Sequence, residues 1–239
     1  MKWTAYNTEN IKGKYLFKFI CQKYLLEFLR TGNLWFARSD RFGDKMECVM
    51  IKDLQKDVPD FQKIEARKRK HFISCFHVGT KETLAFWDTY AKNDEERRKY
   101  ALRFNREEFI VNIEKNSLES VVPEKISKLV HGKVKYKNLI GAKTTVLQLK
   151  KVKFPAFRKE YVFAYEKEYR FVVSLKRESN KSGFNVNLGN PKEISFTIFV
   201  NPLLDSEDYS RCRETIAINN FEKNLKMSTL TKWLKPELW

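Results

Sequence analysis

Two glutamates, Glu166 and Glu168, stand two residues apart in the segment Ala164–Phe171 (AYEKEYRF), and Arg170 follows at the same spacing. On an extended chain, alternate residues project to one side, so all three would share a face. Two carboxylates held together repel each other. One of them is therefore expected to keep its proton to higher pH or to acquire a cationic partner, a pattern enriched at functional sites. A solvated strand face with Glu–Arg pairing would give the same spacing without chemistry.

Other residues capable of chemistry are scattered. His71, His77 and His131 lack the H-E-x-x-H spacing of a zinc hydrolase and have no Cys pair nearby. Cys21, Cys48, Cys75 and Cys212 occur singly, so free buried thiols are expected and no metal is implied. Neither G-x-G-x-x-G nor a Walker loop occurs, which argues against a Rossmann dinucleotide site and against P-loop phosphoryl transfer.

The charge is extreme. Among 239 residues there are 47 Lys+Arg against 30 Asp+Glu, a formal net charge of +17. Such a surface attracts polyanions, although a lysine-rich background or plain solubility would supply part of the excess. About half of it falls within 123–160, where eleven Lys/Arg face two Glu. Lys133, Lys135 and Lys137 alternate there as if on one face of a strand, Lys150, Lys151 and Lys153 follow, and Tyr136, Phe154 and Phe157 are interleaved. Cations tracking a phosphate backbone, with rings for stacking on unpaired bases, suit single-stranded nucleic acid, RNA foremost. An acidic protein partner, such as an antitoxin or chaperone, satisfies the same electrostatics.

The elements that must position these residues read as one α+β domain over 1–239, with mixed and antiparallel sheets and flanking helices. Aromatic residues make up 14% and hydrophobic residues 42%, enough for a real core. Strands are expected at 14–20, 33–37, 71–78, 169–175 and 194–200, and helices at 21–30, 60–70, 84–90, 106–116 and 206–215. Gly32 is placed to end the first helix in a left-handed conformation. Periodicity leaves 100–105 open between strand and helix. No apolar run reaches the about 18 residues of a spanning helix, and the start MKWTAYNTENIKGK has no apolar core of a signal peptide. A cytoplasmic protein without membrane contact is expected.

Five segments occur in the order of a known pattern: Tyr15–Phe19, Leu34–Phe36 leading to Arg41–Glu47, Ser74–Phe76, Phe86–Ala91 and Tyr165–Arg170. Together they resemble a bacterial family of unknown function, domain of unknown function 2971. That family reads Y-K-Y, L-W-F leading to F-N-D-P-F-E, S-F-S, M-W-x-x-Y-A and E-x-E-x-R. The resemblance spans about residues 14–205, with a departure in the loop, where Gly43 stands for Asn and Lys45-Met46 for Pro-Phe. The same order also resembles, more distantly, the ADP-ribosyltransferases. That second resemblance implies an ADP-ribosyltransferase-like fold, a transferase that uses NAD as substrate, and a role as a toxin in phage defence or beside an antitoxin; the basic segment 123–160 points to nucleic acid as its acceptor.

In that reading Glu168 stabilises the oxocarbenium-like transition state of nicotinamide–ribose cleavage, as carboxylates do in glycoside hydrolysis, and Glu166 orients or deprotonates the acceptor. Lys18 and Arg38 would hold the cofactor's diphosphate, Ser74 takes the family's middle-strand position, and Trp87 or Tyr90 would stack on nicotinamide. A Trp and a Tyr three apart on an apolar helix face more often belong to a core. Two alternatives stay open: a nucleic-acid-binding protein without catalysis, and a metal-independent nuclease working through His71 or His77.

Overall fold

The computed structural model describes residues 2–44, 46–49, 60–91, 99–116, 125–138 and 154–234. In chain order the elements are β1 (Thr4–Tyr6), β2 (Tyr15–Ile20), α1 (Gln22–Thr31), β3 (Asn33–Arg38), α2 (Phe61–Lys68), β4 (His71–Gly79), α3 (Leu84–Ala91), β5 (Tyr100–Asn105) and α4 (Arg106–Asn116). They continue with β6 (Ile126–Lys133), β7 (Lys135–Lys137), β8 (Arg158–Glu160), β9 (Glu168–Leu175), β10 (Gly183–Asn187), β11 (Phe196–Val200), α5 (Ser206–Ile218) and α6 (Thr229–Leu234). The result is an α+β fold with mixed, mostly antiparallel pairing. No helix among the described residues is long and apolar enough to cross a membrane.

Contacts group the chain into two compact units. The first comprises Met1–Ile11, Trp35–Cys75 and Ser117–Val186, and the second comprises Lys12–Leu34, Phe76–Asn116 and Asn187–Trp239. β4 passes from one to the other after Cys75.

In the first unit, β6 and β9 form an antiparallel pair running from Ile126↔Leu175 to Lys133↔Tyr169. β1 adds to β6 in parallel, with Thr4 opposite Val130. Gly132 permits this approach, since a Cβ there would lie 1.7 Å from the Tyr6 carbonyl oxygen. β9 neighbours β4, and β3 and β10 complete the set. Ile73, Val130, Phe157 and Val172 are buried together as an apolar cluster. Burial of such side chains contributes on the order of 1.5–3 kcal/mol each.

In the second unit, β2 lies between β4 and β5, and β5 pairs on its other side with β11, all antiparallel. These two partners settle 100–105 as a strand. α1 buries Leu25, Phe28 and Leu29 on one stripe, the i, i+3, i+4 spacing that places side chains on one helix face. Gly32 ends the helix at φ 74°, its amide bonding back to the Phe28 carbonyl. A Cβ at Gly32 would lie 1.8 Å from the Gly189 carbonyl oxygen.

One expected strand divides. Lys133–Lys137 is not a single run: β6 ends at Lys133, Val134 is buried with its amide on the Glu168 carbonyl, and β7 begins at Lys135 to pair in parallel with β8. The run divides because its backbone changes partner, from β9 as far as the Val134 amide to β8 from Lys135 onward.

Candidate functional site

The carboxylates come together by a route other than an extended chain. Glu166 ends a short 3-10 turn, Tyr161–Glu166, and Lys167 follows in the left-handed region at φ 43°, ψ 50°, before β9 starts at Glu168. The turn brings both acids to one lysine. Lys159 Nζ, from β8, lies 2.5 Å from Glu166 Oε2 and 3.0 Å from Glu168 Oε1.

Beneath this pair Arg170 is fully buried, with all five of its N–H groups used. Nε and Nη2 donate to Glu168 at 2.7 and 3.0 Å, Nη1 and Nη2 donate to Glu47 at 2.5 and 2.9 Å, and Nη1 also donates to the Ala156 carbonyl at 2.6 Å. The Glu168 amide donates to Tyr136 Oη at 2.8 Å. Glu47 comes from the loop segment Arg41–Glu47, so two motifs 123 positions apart meet in one network. Such a double bidentate arrangement is charge-assisted and geometrically specific.

The two glutamates titrate in opposite directions. Burial pushes Glu166 up to about 8, reinforced by the neighbouring Glu168 charge and partly opposed by Lys159. Glu168 is penalised by burial as well, but the Arg170 guanidinium beside it holds its carboxyl well below the usual range. Of the two, Glu168 is the carboxylate that stays ionised to lower pH, and Glu166 is the one that takes up a proton first as pH falls. Burial also pushes Glu47 upward against the pull of Arg170, and the bidentate contact requires both its oxygens to accept. The Cys48 thiol, buried next to Glu47, is pushed up to about 12 and is not a thiolate nucleophile.

Both glutamates are buried, at 5% and 6% exposure. Exposed instead is the turn carrying them, where Tyr161, Val162 and Tyr165 are 61%, 69% and 48% accessible. Lys159 also lies 4.5 Å over the Phe163 ring.

The remaining candidates lie as follows. Arg38, 5% exposed, is bidentate to Asp40 at 2.7 and 2.9 Å and also donates to the Ser179 carbonyl. Ser74 is fully buried in β4. Lys18, in the second unit, sits 5.1 Å over the Phe76 ring. Trp87, also in the second unit, is fully buried, edge-on to Phe19 at 4.8 Å, with Nε1 donating to Glu82 at 2.8 Å. Tyr90 lies on α3, but its side chain is outside the described residues, as are Lys150, Lys151 and Lys153. Lys133 and Lys135 are partly exposed, with Lys135 5.8 Å from the Tyr6 ring centroid, and Lys137 is partly exposed in β7.

His77 packs among Phe17 and Phe86. His131 lies parallel to Phe171 and bonds Tyr169 Oη at 2.6 Å. His71 meets Ser174 Oγ at 2.9 Å. None of the four cysteines is in a disulfide; Cys48 and Cys212 are buried as expected, whereas Cys21 and Cys75 are only partly so, and among the described residues no group of three His, Cys, Asp or Glu could hold a metal ion.

Sequence reasoning passed over Lys159 and Glu47 as site residues. Glu47 had a signal, since it closes one of the ordered segments. Lys159 had none beyond its place in the basic stretch. Comparison with known proteins gives no matching family model, no matching curated protein and no matching solved structure.

Proposed function

We propose that the first unit binds single-stranded nucleic acid, RNA before DNA, across the face formed by β7, β8 and the turn Tyr161–Glu166. The observation that carries this reading is the exposure of Tyr161, Tyr165 and Lys167 on a turn packed against β7, which carries the partly exposed Lys135 and Lys137. Rings presented to solvent among cations form a stacking platform with an electrostatic track, which binds unpaired bases with little sequence preference. The ion-paired cluster beneath holds the turn in place: Glu166 and Glu168 at its end are tied to Lys159, and through Arg170 to Glu47. An acidic protein partner would compete for the same face.

Fluorescence anisotropy with a labelled 12-nucleotide RNA tests this. Affinity is expected to fall steeply with added salt, because bound cations release condensed counterions. Tyr161→Ala with Tyr165→Ala is expected to weaken binding by about 1–3 kcal/mol per lost stack. Undiminished binding by that double variant rules the face out.

A second reading is favoured by the opposed titration of Glu166 and Glu168, since carboxyls pushed apart in pKa are the usual acid–base assignment. Here the protein is an NAD-consuming ADP-ribosyltransferase with an ADP-ribosyltransferase-like fold. The nicotinamide–ribose C–N bond breaks, nicotinamide leaves, the acceptor attacks the ribose carbon, and the acceptor's proton passes to the carboxylate pair. Glu168 and Glu166 act on the reacting atoms, for which Glu168 would have to give up contacts to Arg170 and Lys159. Arg38 would have to leave Asp40 to hold the cofactor's diphosphate. Transfer of label from NAD to RNA, lost in Glu168→Gln, is the expected result; no label on RNA, DNA or protein removes this reading.

A further inference from the structure

β9 has two ends with opposite electrostatics. At the Glu168 end the charges are paired. At the Leu175 end, seven residue steps or about 24 Å along the strand, lies a cavity of about 460 Å³ lined by Lys125, Leu175, Lys176, Arg177, Glu178 and Ser179. Its one lining carboxylate is already neutralised, because Glu178 accepts from Arg69 at 2.9 and 2.8 Å. Lys125, Lys176 and Arg177 are exposed, Lys70 is partly exposed, and among the described residues none of the four has an ion pair.

The walls are held by the backbone. The Leu175 amide donates to the Lys70 carbonyl, Lys176 to Lys125, and Ser179 to Arg69, at 2.8, 2.9 and 3.2 Å. Three chain segments are thus pinned around the cavity, so the cations are gathered before any ligand arrives.

We infer that this cavity binds a phosphate-bearing ligand of nucleotide size, at a site separate from the β7–β8 face. The volume lies within the range of small-ligand pockets. Three lining cations without carboxylate partners match a diphosphate, which offers several acceptor oxygens to charge-assisted donors. Leu175 adds an apolar wall.

Isothermal titration at low salt with ADP, pyrophosphate, inorganic phosphate and adenosine tests the site. ADP is expected to bind one to one, and adenosine is not expected to bind. Pyrophosphate as tight as ADP identifies the anion as the ligand, whereas tighter ADP identifies a nucleotide. Lys176→Ala with Arg177→Ala, both exposed and so compatible with folding, is expected to weaken ADP at least tenfold while RNA binding changes little. The Tyr161→Ala/Tyr165→Ala protein is expected to bind ADP normally. Absence of binding by every anion at millimolar concentration, or equal binding by the Lys176/Arg177 variant, overturns the proposal.

Discussion

The two units fill their interiors with different materials. In the second unit the buried volume is largely aromatic: Phe28 lies edge-on to Phe104 and Phe196 at 5.8 and 5.1 Å, and Phe19 stacks on Phe86 at 5.2 Å. Its ion pairs, such as Lys99–Asp208, are partly exposed. The first unit has an apolar cluster too, but beside it lie Arg170, Glu47 and Glu168, removed from water. Apolar interiors depend on shape and area, and they tolerate modest trimming. A buried ion network depends on completeness, because one missing partner leaves an uncompensated charge. The first unit is therefore the more brittle of the two, and the brittleness is concentrated under the face proposed to bind nucleic acid.

Substitutions can break or sharpen this contrast. The largest effect is expected from Arg170→Met, which strands Glu47 and Glu168 and should destabilise by about 3–5 kcal/mol; urea unfolding measures it, and a loss under about 1 kcal/mol would mean that the network is dispensable.

Next is the pH dependence. Folded Glu166 keeps its proton to about 8, whereas the unfolded side chain releases it near 4.5, so between these values the folded chain binds more protons. Stability contributed by this group is therefore fully present below about pH 4.5 and falls as pH rises to about 8. Glu166→Gln cannot titrate and should flatten the profile of unfolding midpoint between pH 5 and 8.5. Parallel profiles for the two proteins would remove the assignment.

In the second unit, Gly32→Ala is expected to cost at least about 1–2 kcal/mol from the left-handed backbone alone, with the Gly189 clash added, read as a lowered melting temperature. Smallest is Ile198→Val, a trimmed methyl in a fully buried strand, at about 0.5–1.5 kcal/mol. If Ile198→Val proved as damaging as Arg170→Met, the contrast between the two interiors would fail.

Much of the scaffold was legible because it is locally encoded. The aromatic run of β2, the apolar stripe of α1, its closing glycine and the apolar run Phe171–Val173 of β9 all announce themselves within a dozen residues. What escaped depends on pairing over long separations. Thr4–Tyr6 read as a polar start, and only β6 makes it a strand. The ambiguity at 100–105 was resolved by neighbours on both sides. Glu166, Glu168 and Arg170 were visible as a cluster of charges, but the left-handed Lys167 replaced the extended geometry expected of them. Nothing local indicated that Glu47 would be the second carboxylate on Arg170. The basic stretch signalled a polyanion without locating it, since the exposed tyrosines and the cavity at Lys176 both require the fold.

The parallel pairing of β1 with β6 has a consequence for synthesis of the chain. Asn7, just past β1, donates its side-chain amide to the Lys133 carbonyl, 126 residues further on. At translation rates of about 5–20 residues per second, β1 would wait roughly 6–25 s on the ribosome before its partner strand exists. During that interval Trp3 lacks Phe171, the ring it meets edge-on at 5.6 Å in the folded chain. β1 thus finds its place long after it is made, and at three residues it offers little strand edge to a wrong partner meanwhile.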